Sequence, residues 1–121
     1  MKHLPGYGDL LRGDSATATW LSKKARRMFK ELDPILHSQL RLAVVSLLVA
    51  EKEAGFTLLK EKTNATAGNL SVQIQKLKDA GYIDIIKSFK DNYPQTLCKI
   101  TPKGTMAFED YKTAIRSYIK D

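Results

Sequence analysis

Apolar side chains recur at helical spacing early in the chain, with polar residues between them. From residue 17 to residue 32 they stand three or four positions apart, among them Leu21, Met28 and Leu32, and lysines and arginines surround this stripe. The pattern predicts an amphipathic helix whose basic face is either solvated or in contact with phosphate groups. Residues 1–16 contain one proline and three glycines at no regular spacing, so they predict an irregular N-terminal arm.

A longer apolar run predicts a central helix over residues 34–54. Asp33 supplies a capping side chain, Pro34 has the backbone angle of a first helical turn, and Gly55 offers a left-handed end. Apolar residues lie nearly all round this helix, which is typical of a scaffold helix packed on several sides. They are Leu40, Leu42, Val44, Val45, Leu47, Leu48 and Val49.

Two helices joined by about three residues follow, and they predict a helix-turn-helix. Thr57 can cap the first helix, which ends at Thr63. Asn64 tolerates the left-handed conformation that ends a helix, and Thr66 can cap the second helix, residues 67–80.

The second of these helices has two different faces. Leu70, Ile74 and Leu77 form one stripe and predict the buried side. The other side chains near its start are small, hydroxylic or amide-bearing, which suits the donors and acceptors of the DNA major groove, although an ordinary polar surface is the alternative. The outward set is Gly68, Asn69, Ser71, Val72, Gln75 and Lys76.

A hairpin and a last helix complete the pattern. Gly81 ends the preceding helix, residues 82–89 and 96–101 predict two strands, and the polar residues 90–95 predict a tip of five or six residues. Thr101 and Pro102 then start a helix with an apolar seam like that of a short coiled coil. Such a seam fits either the domain core or a second subunit, and we favour the second subunit. With Leu21 and Met28, the seam residues Phe108, Tyr111, Ile115 and Tyr118 are the predicted dimer interface.

Composition limits the chain to one small domain. Of its 121 residues, 43% are apolar, and 20 Lys and Arg against 13 Asp and Glu give a net charge of +7. The single cysteine, Cys98, excludes a disulfide framework within the chain, and two histidines beside it make no structural zinc set. We therefore expect no metal, no cofactor and a reducing, cytoplasmic setting, with Cys98 as a small buried hydrophobe rather than a redox group.

The positive charge indicates an acidic partner, with nucleic acid ahead of an anionic membrane surface. The longest apolar stretch, residues 42–50, is too short to span a bilayer, and the N-terminus lacks the apolar core of a signal peptide. We expect neither secretion nor membrane insertion.

The order of these elements and three segments resemble small bacterial winged-helix transcriptional regulators related to the MarR and ArsR groups. The segments are LDPILHSQLRLAVVSLL (residues 32–48), FTLLKEKTNATAGNLSVQIQKLKDAGYIDIIKSF (56–89) and PQTLCKITPKG (94–104). The resemblance implies a mainly α fold with a small β-hairpin wing, in which residues 17–121 form the domain. It also implies a homodimer that binds double-stranded DNA. In that family the counterpart of helix 67–80 is the recognition helix, and the counterpart of loop 90–95 reaches the neighbouring minor groove or backbone.

The chain departs from this family in three ways. The first thirty residues lie outside the family core, as a dimer arm, a basic DNA arm or both. The wing offers Lys87 and Lys90, with Gln95 where the family often has arginine, and the Cys or His pairs of the metal-sensing branch are missing. No residue pattern identifies a small-molecule effector.

We expect bases to be read by Asn69, Ser71, Val72 and Gln75. Phosphates are held mainly by Lys62, Lys76 and Lys90, and Thr57, Thr66, Gly68 and Lys87 complete the DNA-binding set. A DNA binder should join Lys23, Arg27, Lys60, Lys62, Lys76 and Lys90 into one positive band.

Two other functions compete with DNA binding. A winged helix that binds protein without DNA is the alternative, favoured by the weakly charged wing and by the uncharged surface of the recognition helix. An enzyme is not expected, because the sequence has no Gly-rich phosphate loop, no Cys-His or Ser-His-Asp order and no carboxylate pair at helical spacing in an apolar stretch.

Overall fold

The structure, a computed structural model, describes residues 28–119. The described chain divides into two units: residues 32–113 form one, and residues 28–31 with 114–119 belong to the other. The predicted arm, residues 1–16, and residues 17–27 of the predicted first helix lie outside the described residues.

The end of that first helix differs from the prediction, because residues 29–32 are not helical. The backbone groups of Lys30 are bonded to side chains instead of to a helical turn. Its N–H donates to Ser117 Oγ (2.9 Å), and its carbonyl accepts from the Tyr118 hydroxyl (2.7 Å).

The remaining described residues form four helices and three strands, which confirms a mainly α winged helix-turn-helix. In chain order they are α1 Gln39–Glu51, β1 Glu53–Gly55, α2 Phe56–Thr63, α3 Ala67–Asp79, β2 Ile83–Lys90, β3 Tyr93–Ile100 and α4 Pro102–Arg116.

Helix α1 is shorter than the predicted 34–54 at both ends. At its start Asp33 shapes a separate turn, since its Oδ1 accepts from the Ile35 N–H and its carbonyl from the His37 N–H, both at 2.8 Å. At its end the chain reverses at Lys52, with φ of 73°, and not at Gly55, with φ of −74°. None of the seven predicted apolar residues of α1 is exposed, which confirms its scaffold role.

The sheet has the order β1-β3-β2 and is antiparallel. Strand β1 lies where the sequence predicts the end of a helix. Its residues Glu53, Ala54 and Gly55 are poor strand formers, so their sequence does not indicate a strand. It forms because β3 has an open edge there, and the three residues pair with Leu97–Lys99.

The hairpin β2-β3 is tighter than predicted. Its tip is the two residues Asp91 and Asn92, with φ of 52° and 67°, instead of residues 90–95. Two left-handed residues in succession are typical of the type I′ turn, which Asn and Asp tolerate. Pro94 therefore lies in β3, paired with Phe89, at a level where β1 does not pair with β3.

The core of the larger unit lies between α1, α2, α3 and the sheet. Helix α4 begins as predicted, because Thr101 Oγ1 accepts from the Gly104 N–H (3.0 Å). Gly104 also allows the helix to pass close to the residue before β2, since a Cβ there would overlap the Tyr82 carbonyl oxygen. The buried apolar side chains of this unit are those of Leu36, Val44, Val45, Leu48, Ala54, Leu59, Leu70, Ile74, Leu77, Ile83, Cys98 and Tyr111.

Candidate nucleic-acid interface

The turn between α2 and α3 has the local geometry that the sequence predicts. Asn64 ends α2 in the left-handed conformation (φ 56°, ψ 29°), and Thr66 Oγ1 accepts from the Asn69 N–H (3.2 Å). The expected cap at Thr57 is wrong: the cap is Gly55, two residues earlier, with no side-chain bond, and α2 starts at Phe56. Thr57 is an exposed residue of the first turn.

The two faces of α3 are separated as predicted. Leu70, Ile74 and Leu77 are at most 3% exposed and hold the helix on the core. Val72, on the opposite side, is 51% exposed. The whole predicted outward set is exposed: Gly68, Asn69, Ser71, Val72, Gln75 and Lys76.

The amide side chains on this exposed face are held by hydrogen bonds. Gln75 Nε2 donates to Asp79 Oδ1 (2.9 Å), and Gln73 Nε2 donates to Asn69 Oδ1 (3.1 Å). Gln73 is bonded in turn to Arg41 of α1. Gln73 and Arg41 are not among the residues predicted for the site, although the spacing of four between Asn69 and Gln73 is a helical contact that the sequence shows.

Exposed lysines lie on α3 and on the elements before and after it in the chain. Lys62 lies in the last turn of α2, Lys76 on α3 itself and Lys90 at the end of β2. Lys87, also exposed, donates from Nζ to Thr96 Oγ1 across the hairpin (3.1 Å). Of the six basic residues expected in one band, Lys60, Lys62, Lys76 and Lys90 are exposed, and Lys23 and Arg27 lie outside the described residues.

The end of the wing carries two aromatic residues that are not among the predicted site residues. Phe89 and Tyr93 are each 75% exposed, next to the two-residue turn. The sequence signal for Phe89 is its place near the end of the predicted strand 82–89, next to the predicted polar tip. Between this hairpin and the start of α2 lies an open cavity of about 500 Å³ whose lining includes Thr57, Lys90 and Gln95.

The predicted dimer residues fall into different environments. Tyr111 is buried, with its hydroxyl 3.1 Å from His37 Nδ1, and so has little surface left for a second subunit. Phe108 and Ile115 are half-buried. Met28 and Tyr118 are 46% and 44% exposed, and Leu21 lies outside the described residues.

Cys98 is fully buried on β3. Burial raises the pKa of its thiol to about 11, although the charge of Lys87 acts to lower it. The thiol is therefore protonated at neutral pH, a poor state for a nucleophile or a metal ligand.

Two features are absent from residues 28–119. They contain no group of three or more His, Cys, Asp or Glu residues placed to hold a metal ion. None of their helices combines the length and the hydrophobicity that a membrane span requires.

Residues 40–119 match a family model described as a winged helix DNA-binding domain. An uncharacterized protein of Methanocaldococcus jannaschii is 38% identical over 77 residues, which are 64% of this chain and 84% of that protein.

Solved structures share the fold at lower identity. A transcriptional regulator homologue from Pyrococcus horikoshii OT3 has a TM-score of 0.69 and 23% identity, over 79% of this chain and 93% of that chain. The regulator BldR of Sulfolobus solfataricus has a TM-score of 0.60 and 20% identity, over 85% and 76%. PcaV of Streptomyces coelicolor, in complex with its natural ligand, has a TM-score of 0.62 and 19% identity, over 98% and 81%. These three are described as transcriptional regulators or their homologues and not as enzymes.

Proposed function

We propose that this chain, which belongs to the winged helix DNA-binding domain family, is a transcriptional regulator that binds a specific double-stranded DNA sequence as a homodimer. In this proposal residues 17–121 form the DNA-binding domain with its flanking dimerisation helices. Helix α3 enters the major groove, and the wing contacts the adjacent backbone or minor groove.

The observation that carries the proposal is the division of α3 into a fully buried stripe and an exposed polar face. The stripe fixes the helix on the core, so the exposed face is presented by a rigid element. Uncharged amide and hydroxyl groups such as those of Asn69, Ser71 and Gln75 can exchange hydrogen bonds with base edges, and Val72 can contact a thymine methyl group.

Lysines supply the second part of the interface. Lys62, Lys76 and Lys90 are exposed on α2, α3 and β2, three successive elements, where each can contact a phosphate. A dimer that neutralises about six to ten phosphates loses affinity steeply as salt rises, because bound counterions are released on binding. Titrating a duplex pool at two salt concentrations tests this. Affinity that does not depend on salt, or no binding at low salt, contradicts the proposal.

The homodimer is supported by exposed apolar side chains near the two ends of the described residues. Met28, Tyr118 and Ile119 are 46%, 44% and 62% exposed. Ile115→Asp places a charge in this region and should give monomers in sedimentation, with the same helical content as the wild type. A wild-type protein that is already monomeric at micromolar concentration contradicts the dimer.

A protein-binding module is the second candidate function, and the observation that favours it is the pair Phe89 and Tyr93. Exposed aromatic residues are enriched at protein interfaces. The salt titration separates the two functions, because this alternative expects no binding to duplex DNA.

A further inference from the structure

A chain of hydrogen bonds runs from α1 to the exposed start of α3. Arg41 Nε donates to the carbonyl oxygen of Ile35 (2.6 Å), and Arg41 Nη1 donates to Gln73 Oε1. Gln73 Nε2 then donates to Asn69 Oδ1 (3.1 Å). Arg41 and Gln73 are half-buried, while Asn69 is exposed on the face assigned to DNA. We name this set the Arg41–Gln73–Asn69 relay.

The relay has a direction that follows from the chemistry of arginine. A guanidinium group has only donors, so the atom of Gln73 that meets Arg41 must be the amide oxygen. The amide nitrogen of Gln73 then faces Asn69, and its partner there must be the oxygen. The amide nitrogen of Asn69 is left on the far side of its planar group. An arginine on another helix therefore sets the orientation of an amide that otherwise turns freely.

We propose that the relay sets the base preference of Asn69. The side chain presents a donor to the major groove. At the level of the exocyclic group this donor is accepted by guanine O6 or thymine O4 and repelled by the amino group of adenine or cytosine, whereas N7 accepts on both purines. At that level the side chain therefore selects guanine or thymine over adenine or cytosine. The usual bidentate pairing of asparagine with adenine also needs the amide oxygen to accept from the base, and in the relay that oxygen faces Gln73. This inference rests on the proposed function, because it requires α3 to lie in the groove.

The decisive variant is Gln73→Glu. A carboxylate only accepts, so it keeps its bond to Arg41 but repels the oxygen of Asn69. Asn69 then turns its nitrogen toward the new carboxylate and its oxygen toward the groove. In site selection from random duplex DNA with the full chain, we expect one position to change from guanine or thymine to adenine or cytosine, by about tenfold.

Two further variants serve as controls. One tests whether an added negative charge alone changes the base preference, and the other tests whether loss of the Gln73 amide alone does so. Gln39, Asn69 and Gln73 line one surface cavity between α1 and α3. Gln39→Glu adds the same charge there, but Gln39 makes none of the relay bonds, so base preference should stay unchanged. Gln73→Met removes both bonds at similar side-chain length, and it should relax the preference at that one position without reversing it.

A double variant shows whether Asn69 is the group that reads the base. In the Asn69→Ala background, Gln73→Glu should have no effect on that position. A reversal that persists there means that the carboxylate contacts the base directly, and it overturns the relay.

The remaining outcomes distinguish the two levels of inference. If the wild type selects a defined site and Gln73→Glu leaves every position unchanged, the relay is overturned and DNA recognition stands. If the wild type binds no duplex at low salt, the proposed function fails and the relay's role in reading bases fails with it.

Discussion

Helix α3 and the tip of the wing present opposite kinds of surface to the solvent. On α3 the exposed amides are already hydrogen-bonded, Asn69 to Gln73 and Gln75 to Asp79, so their orientations are set before any partner binds. At the tip, Phe89 and Tyr93 are each 75% exposed beside Lys90. Directed amides suit the reading of base edges, whereas apolar rings and a lysine suit contacts that do not depend on sequence.

The contrast holds only at the tip, because the base of the wing is as well packed as α3. Ile83 and Cys98 are at most 1% exposed, and the Tyr82 hydroxyl donates to Asp33 Oδ2. Burial, together with this bond and the charge of Asp33, raises the pKa of Tyr82 to about 12. The wing is therefore a fixed stem with an exposed end.

Gly104→Ala should have the largest effect, because it acts on that stem. The added Cβ would overlap the Tyr82 carbonyl oxygen, and backbone on both sides must move. We expect a loss of about 1–3 kcal/mol or more in the free energy of unfolding. Denaturant unfolding measures it, and an unchanged midpoint would mean that α4 is not held this close to Tyr82.

The difference between the two regions also explains which parts could be predicted from the sequence. The features of α3 are local: the cap at Thr66, the left-handed Asn64 and the stripe from Leu70 to Leu77 depend on neighbours in the chain. The sheet depends on partners far along it. Strand β1 exists because of the edge that β3 offers, and the two-residue turn follows from a register that places Pro94 in β3.

The relay shows the same limit within the site. Asn69 and Gln73 are four residues apart on one helix, so their contact is readable in the sequence. Arg41 is 32 residues from Gln73 and meets it only through the packing of α1 on α3. Tyr111 is similar, because helical spacing places it in a seam but does not show that His37 lies beside its hydroxyl.

Gln75→Ala tests the reading role of α3. Gln75 uses one of its two N–H groups for Asp79, so its oxygen and its second N–H are left for a bidentate base contact. If Gln75 makes that contact, its loss should cost about 1–3 kcal/mol of binding free energy on the preferred site and relax one base position. Affinity for unrelated duplexes should hardly change. Site selection with the variant measures both, and a uniform loss on all sequences would place Gln75 with the phosphate contacts instead.

Phe89→Ala tests the apolar part of the tip. Burying this ring against sugar or base edges should contribute on the order of 1 kcal/mol, equally for all sequences and without change in the salt slope. Ile86→Ala is the matched control, since Ile86 is 40% exposed on the opposite face of the same strand. Equal losses for the two variants would show that the tip has no special contact.

Lys90→Ala should differ from Phe89→Ala in salt dependence alone. Removing the lysine of the wing weakens binding to all sequences and makes the salt slope shallower by about one for each phosphate that is no longer neutralised. Titrations of both variants over the same salt series separate charge from apolar contact. A change in base preference with Lys90→Ala would mean that the wing, too, reads sequence.

Gly68→Ala should have the smallest effect on stability, and of the opposite sign to Gly104→Ala. Apart from its chain neighbours and the backbone of its own helix, no atom lies within 4 Å of the Cβ position at Gly68, so the added methyl group points into open space in the free protein. Alanine in a helix is more stable than glycine by roughly 0.5–1 kcal/mol, and the free energy of unfolding should rise by about that amount.

A glycine that lowers stability on an exposed face is explained if DNA comes close to the first turn of α3. We therefore expect the more stable variant to bind DNA more weakly, as measured by unfolding and by duplex titration on the same preparation. A variant that gains stability and keeps full affinity would show that the first turn of α3 stays clear of the DNA, and base reading would then have to start further along the helix, beyond Asn69.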